Sequence, residues 1–214
     1  SYFLNKRQYD SYPRDRKTKV YLGEYAAKDK KLIDALAEGL YLLHVERNGD
    51  VVAMTSYAPL FARKNGTQWN PDLIYYDNER TFLTCSYYVQ QMFGQSAGQY
   101  YYGDCVKLEG DAADAIQPME NVHYGQSVIL NAKTRQLFVK LVNASADAKK
   151  ANIDLSRFKS IKKLATKTTI AGQPNDENNF EAQPIYPKTD VVKAQKKFAL
   201  DLAPYSMVML QYQL

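Results

Sequence analysis

Two periodicities divide the chain. From Lys19 to Phe93, short apolar runs alternate with stretches of helical spacing, the pattern of parallel βα units. Lys19 to Tyr25 reads as a short strand. Asp29 then offers an N-cap to a helix that carries Leu32, Leu36, Leu40 and Leu43 on one face, with His44 and Arg47 beside the carbonyl end of its dipole and Asn48-Gly49 as a left-handed stop. Asp50 opens Val51 to Tyr57, a nearly continuous apolar strand of the kind covered on both faces in a parallel sheet, and Pro59 ends it. A loop holding Asn65-Gly66 and Gln68 to Asp72 follows. A second helix from Ser86 to Phe93 then presents Val89, Met92 and Phe93 as its apolar residues, with Gly94 as a stop.

Beyond Gly98 the spacing changes to period two without convincing helices. Gln99 to Leu108, Val122 to Leu130, Gln136 to Asn143, Ala151 to Leu155, Lys162 to Ile170, Lys196 to Leu202 and Met207 to Leu214 read as about seven short strands. In the last of them Val208, Leu210, Tyr212 and Leu214 point one way and Met207, Met209, Gln211 and Gln213 the other, which predicts a half-buried antiparallel strand. The stretch from Gly172 to Asp190, with Pro174, Pro184 and Pro187, reads as an ordered surface loop. The expected fold is mainly β, with an α/β part over residues 1–95 and an antiparallel β-sandwich over 96–214.

Composition narrows the function classes. With 214 residues, 45% of them hydrophobic and 24% charged, the chain is globular. No apolar run approaches the roughly 18 uncharged residues of a membrane helix. The amino terminus, Ser1 to Arg7, lacks the pattern of a signal peptide, so any such segment is expected upstream or not at all. The net charge of +5 is spread over lysine pairs with carboxylates between them, which argues against a nucleic-acid surface. Cys85 and Cys105, with only His44 and His123 for company, offer no zinc spacing and read as two buried thiols ahead of a bridge between them; no metal or cofactor is expected. Asn175 to Asn178 is a weak oxygen-rich run for calcium, and Asn65-Gly66-Thr67 and Asn143-Ala144-Ser145 match the glycosylation acceptor pattern. The 18 tyrosines suit edge positions and sugar-stacking surfaces equally.

Two βα units cannot close a sheet, and an eight-fold barrel needs about 250 residues by itself. The first third is therefore expected to leave a raw strand edge and an uncovered apolar helix face around Leu32, Leu36 and Leu40. Within it Glu24 is the one carboxylate at the carboxyl end of a strand, after Gly23 and ahead of the small residues Ala26 and Ala27. Such a position suits a catalytic group held rigidly, and it equally suits a salt-bridge partner or a solvated side chain.

The runs Val20-Tyr21-Leu22-Gly23-Glu24-Tyr25-Ala26-Ala27, Ala35-Leu36-Ala37-Glu38, Val45 to Val52, Met54 to Leu60 and Gln68-Trp69-Asn70-Pro71-Asp72-Leu73-Ile74 stand in one order. Ser86 to Phe93, Val139 to Asn143 and Pro204 to Val208 continue the series. Together they resemble the carboxyl-terminal part of the α-L-arabinofuranosidases of glycoside hydrolase family 51. The resemblance implies that the chain holds the last two βα units of a (β/α)8 barrel followed by the family's β-sandwich. It also implies a retaining hydrolase that removes terminal arabinofuranosyl groups from plant polysaccharides, with Glu24 on the nucleophile of the family's Gly-Glu-Tyr motif.

A retaining enzyme needs a second carboxyl about 5 to 5.5 Å away as acid/base. The resemblance puts that glutamate after an asparagine on an earlier barrel strand. No Asn-Glu precedes Glu24, and Asn78-Glu79 lies after the last barrel strand. The chain is thus expected to be a carboxyl-terminal piece, inactive alone, whose partners are an arabinose-containing polymer and the upstream part of the barrel. An extracellular or periplasmic location follows from the resemblance only. Trp69 is the candidate sugar platform, with Tyr57 and Asn70 as further substrate-binding candidates. The alternative is a non-catalytic module, either carbohydrate-binding through Tyr100, Tyr101, Tyr102 and Tyr124 or buttressing the barrel.

Overall fold

A computed structural model describes residue 2 and residues 7–109 and 123–214. Val122, the first residue of one predicted strand, and most of the amino-terminal stretch lie outside the described residues. The chain opens with β1 (Val20–Tyr25), crosses through α1 (Leu32–Arg47) and returns as β2 (Val52–Tyr57), parallel to β1. A small sheet of β3 (Phe61–Arg63), β4 (Ile74–Tyr76) and β5 (Thr81–Leu83) occupies what the sequence presents as a loop. Three residues per strand are too few for a period to register. Next comes α2 (Cys85–Gly94), where the Thr84 side chain caps the Tyr87 amide at 3.2 Å. Gly94 lies inside this helix and does not stop it; Ser96 closes the end by donating to the Met92 carbonyl at 2.6 Å.

The remainder forms two antiparallel sheets. The larger holds β6 (Tyr100–Tyr101), β8 (Tyr124–Asn131), β9 (Gln136–Asn143), β11 (Leu164–Ala171), β12 (Lys188–Lys193) and β14 (Ser206–Gln213) in the order β12-β11-β14-β9-β8-β6. The smaller joins β7 (Val106–Leu108), β10 (Lys149–Asp154) and β13 (Lys197–Leu202). Val128, Val139, Leu141, Val208, Leu210 and Tyr212 face Leu108, Ile153 and Leu202 across the sandwich. Strand β12 begins within the predicted loop, at 188–190, and runs beyond it to Lys193; its mostly exposed residues carry no apolar period, yet it pairs with β11 along six residues.

The outer face of the large sheet is also buried. Phe138, Val142, Met207 and Met209 pack with Leu32, Leu36, Leu40 and Leu43 of α1 and Val89 of α2. Strand β14 therefore keeps its predicted alternation but is buried on both faces, and the leucine face of α1, expected to be uncovered, has no exposure at Leu32, Leu36 or Leu40. Gly125 permits this approach, since a Cβ there would meet Leu40 at 3.1 Å and Leu43 at 3.2 Å. The expected raw edge is present: β1 and β2 form a two-stranded sheet, and a groove of 540 Å³ runs beside β2 past Tyr25, Met54, Leu73 and Phe93.

Both predicted ends of α1 need correction. Lys31, and not Asp29, is the N-cap residue, with no side-chain capping bond. The first helical amides are satisfied instead by carbonyls of the loop after β11: Leu32 donates to Asp176 at 2.8 Å and Ile33 to Pro174 at 3.1 Å. At the other end Asn48 has φ −103°, so the stop is not left-handed. Its amide side chain bridges the His44 carbonyl at 2.8 Å and Asp10 at 2.9 Å.

The calcium-like run is used to tie loops. Asn178 donates to the Leu83 and Ile185 carbonyls, and Glu177 pairs with Lys30. Of the two glycosylation patterns, the one at Asn143 is closed by folding, because that side chain is fully buried and donates to the Asp147 carbonyl at 2.8 Å and the Ala203 carbonyl at 3.0 Å. Both cysteines are free and buried.

Candidate functional site

The pairing of β1 with β2 decides where Glu24 points. Leu22 lies opposite Thr55 and Tyr25 opposite Tyr57, so three steps along β1 match two along β2. This is a register irregularity of the β-bulge kind, which re-aims a side chain, and it offsets an opposite shift between Val20 and Tyr21. Strict alternation would send Glu24 to the same face as Leu22. Instead Leu22 and Tyr25 both pack into the core beneath the strand, and Glu24 is exposed on the opposite face. Tyr21 and Met54 share that open face at 55% and 56% exposure, and the Tyr21 hydroxyl lies 2.9 Å from Ser56 Oγ.

Tyr57 is buried against the helices, with its ring 5.7 Å from Tyr25 in an edge-on arrangement. It packs in the core cluster that also holds Tyr25 and the leucines of α1. Trp69 and Asn70 are exposed in the connection that runs from the end of β3 to β4. Trp69, at 62% exposure, is held by its backbone: its amide donates to Thr67 Oγ1 at 3.0 Å, and that hydroxyl also lies 3.1 Å from Oδ2 of buried Asp72. The Asp72 amide donates to the Tyr75 hydroxyl at 2.9 Å, so the loop offers an indole face on a fixed frame. Asn78 and Glu79 sit exposed in the turn between β4 and β5.

Behind β1 lies a polar cluster that the sequence reading missed. Glu38 of α1 is fully buried; its Oε1 accepts the Ala27 amide at 2.8 Å and its Oε2 lies 3.4 Å from Gln90 Nε2. Gln90 Oε1 accepts the Tyr25 hydroxyl, and the Tyr2 hydroxyl donates to the Ala26 carbonyl at 2.9 Å. Burial pushes the Glu38 carboxyl up to about 7 despite the bond from Ala27, and burial beside Glu38 pushes the Tyr2 hydroxyl up to about 12. A signal for Glu38 did exist. From Ala35 to Val45 every residue except Glu38 and His44 is apolar, glycine or tyrosine, so a helix buried all round had to take its carboxylate inside.

The sign of the resulting pH dependence follows from linkage. The folded chain holds the Glu38 proton more tightly than the unfolded one, so this contribution to stability is complete below pH about 4.5 and is lost as pH rises through about 7. The size is roughly 3 kcal/mol for a carboxyl raised from 4.5 to about 7. Glu38→Gln, neutral throughout, should remove the effect. Urea unfolding of parent and variant is expected to show the variant gaining relative stability between about pH 4 and about pH 8. A constant difference across that interval would refute the assignment.

A family model described as the α-L-arabinofuranosidase C-terminal domain matches residues 14–206. A probable α-L-arabinofuranosidase A of Aspergillus flavus is 30% identical over 209 residues, covering 94% of this chain and 30% of that protein. α-L-Arabinofuranosidase 1 of Arabidopsis thaliana is 29% identical over 201 residues, covering 88% and 28%. An arabinose-bound α-L-arabinofuranosidase of family 51 superposes with a TM-score of 0.86 at 25% identity, over 99% of this chain and 35% of that one. The enzyme of Thermotoga maritima in its arabinose complex shares the fold, with a TM-score of 0.71 at 16% identity over 100% of this chain and 47% of that one. The chain thus spans less than a third of the length of these two curated relatives. With the family model running from before β1 into β14 and a solved relative following almost the whole backbone, the chain belongs to the α-L-arabinofuranosidase C-terminal domain family, the carboxyl-terminal portion of glycoside hydrolase family 51 arabinofuranosidases.

Proposed function

We propose that Glu24 is the nucleophile of a retaining α-L-arabinofuranosidase, and that the acid/base carboxyl and the remaining barrel strands come from sequence outside these 214 residues. The observation that supports this reading is the register shift between Leu22 and Tyr25: both of those side chains pack into the core, and Gly23 and Glu24 between them are left exposed. In the reaction, the Glu24 carboxylate attacks the anomeric carbon of a terminal arabinofuranosyl group while the acid protonates the departing oxygen. The same acid/base then takes a proton from water, which attacks the anomeric carbon and frees Glu24. Trp69 supplies a stacking face and Asn70 a polar edge, whereas Tyr57 acts from beneath by supporting Tyr25.

The sandwich is read as a buttress. Its large sheet buries the leucine face of α1, so it holds the helix behind the nucleophile strand. The carbohydrate-binding alternative loses most of its platform. Tyr124 is buried, Tyr102 packs edge-on to Phe158 beneath Arg157, and of the four candidate tyrosines only Tyr100 is well exposed. An extracellular site of action fits a Streptomyces chartreusis relative named as an extracellular exo-α-L-arabinofuranosidase, which is 40% identical over 99 residues, covering 46% of this chain and 12% of that protein. Among the described residues no helix is long and apolar enough to cross a membrane.

The purified 214-residue chain is expected to release no aryl group from an aryl α-L-arabinofuranoside over a long incubation. Release by the chain but not by its Glu24→Gln variant would mean that a second carboxyl within these residues completes the site.

A further inference from the structure

The segment that follows Glu24 is not held by regular secondary structure. After β1 ends at Tyr25, residues 26–30 make no ladder, and α1 begins only at Leu32. Side chains fix the segment instead. The residue one position after Glu24 is tied through its hydroxyl to Gln90, Gln90 reaches Glu38 Oε2, and the residue three positions after Glu24 gives its amide to Glu38 Oε1 at 2.8 Å. Both tethers converge on one carboxyl with no exposure. Burying a carboxyl is costly, and none of the salt bridges among the described residues involves this one. An apolar side chain would pack α1 without that cost, but it would leave the Ala27 amide unpaired and release Gln90.

We propose that Glu38 is a positioning residue for the hydrolase: by holding the Ala27 amide and, through Gln90, the Tyr25 hydroxyl, it fixes the strand end from which Glu24 is aimed. This rests on the reading of Glu24 as nucleophile. Attack on the anomeric carbon demands a near-attack geometry, and a displacement of about 1 Å costs on the order of a hundredfold in rate. Glu38 touches neither substrate nor reacting atoms, so its effect belongs in kcat.

Two arms test the proposal. In the 214-residue chain, the Ala27 amide resonance is followed by ¹⁵N-edited NMR as pH crosses about 7. The groups facing Glu38 are Asp34 on its own helix, Tyr2 from the amino-terminal segment, Tyr25 from β1 and Tyr57 from β2, with uncharged Ser86 and Gln90 from α2. The tyrosines titrate far higher, and Asp34→Asn controls for the remaining carboxyl. The Ala27 resonance is expected to move with a midpoint near 7 in the parent and in Asp34→Asn, and to stay flat in Glu38→Gln. A resonance that ignores pH in the parent, or still moves in Glu38→Gln, overturns the anchor. Because this arm needs only the near-isosteric variant, a Glu38→Ala chain that fails to fold does not remove the test.

In the longer enzyme, Glu38→Ala is expected to lower kcat roughly 10- to 100-fold with KM within about threefold, and Glu38→Gln to recover most of the loss. A purely structural role would reduce the yield of folded enzyme and leave kcat per active site intact, and that result would overturn the proposal. If Glu24→Gln kept its turnover, the nucleophile reading would fall, while the Ala27 titration would still report the anchor by itself.

Discussion

Replacing Glu24 by glutamine in the longer enzyme is expected to lower turnover of an aryl α-L-arabinofuranoside by roughly a thousandfold or more, a loss of about 4 kcal/mol in transition-state stabilisation. Glutamine keeps the volume and hydrogen-bonding reach of the side chain but has no carboxylate oxygen to form the glycosyl ester. Since Glu24 is exposed on the open face of the strand pair, the exchange should leave the folded chain intact, and an unchanged thermal midpoint would separate chemistry from stability. Glu24→Gly gives a sharper outcome. With the carboxylate gone, azide can enter the vacated space beside the anomeric carbon, displace the aryloxide and give a glycosyl azide of inverted configuration. Azide rescue with retained configuration would place the acid/base at this position instead, and turnover of Glu24→Gln within tenfold of the parent would remove Glu24 from the reaction.

Why Glu24 was readable as a residue but not as a direction shows where sequence reasoning ends for this chain. Its place at a strand end follows from the apolar run before it, and its chemical identity from the Gly23-Glu24-Tyr25 word. Its aim depends on a register shift between two strands separated by a whole helix, and such a shift leaves no trace in the local alternation. The sandwich strands were legible for the opposite reason: period two records the two sides of a strand directly, as with Val208, Leu210 and Tyr212 against Met207 and Met209. What lay on each side was not. Met207 and Met209 read as a wetted face until α1 is seen to cover them, because burial by a distant element is a tertiary fact. The ends of α1 escaped for a similar reason. Its first amides are capped by carbonyls some 140 residues later, and no local cap residue announces that.

That same dependence of the helix on the sandwich underlies a stability effect as large as that of Glu38. Lys140 of β9 is fully buried, with its Nζ 2.6 Å from Glu46 at the end of α1 and 2.7 Å from Ser96 Oγ after α2. Ser127 of β8 donates to the other Glu46 oxygen, and the Phe93 ring lies 5.0 Å from the ammonium. Burial raises the Glu46 carboxyl and lowers the Lys140 ammonium, and their attraction opposes both shifts. Lys140→Met removes the cation and keeps the bulk, so it leaves a largely buried carboxylate without its counter-ion and with the Ser127 hydroxyl as its remaining named partner. Removing one partner of a buried pair costs about 3–5 kcal/mol. Because 16% of the Glu46 side chain remains exposed, water offsets part of the penalty, and about 3 kcal/mol is the expected loss in urea unfolding. Lys140→Met with Glu46→Leu should recover most of it, since neither charge is then left alone. If the double variant were no more stable than Lys140→Met, the cost would lie in packing around Phe93 and Phe138 and not in the stranded charge. Recovery would mean that the ion pair chiefly specifies how the unit of β1, α1 and β2 seats on the sandwich, and that a well-packed apolar seam could hold the two together with equal strength.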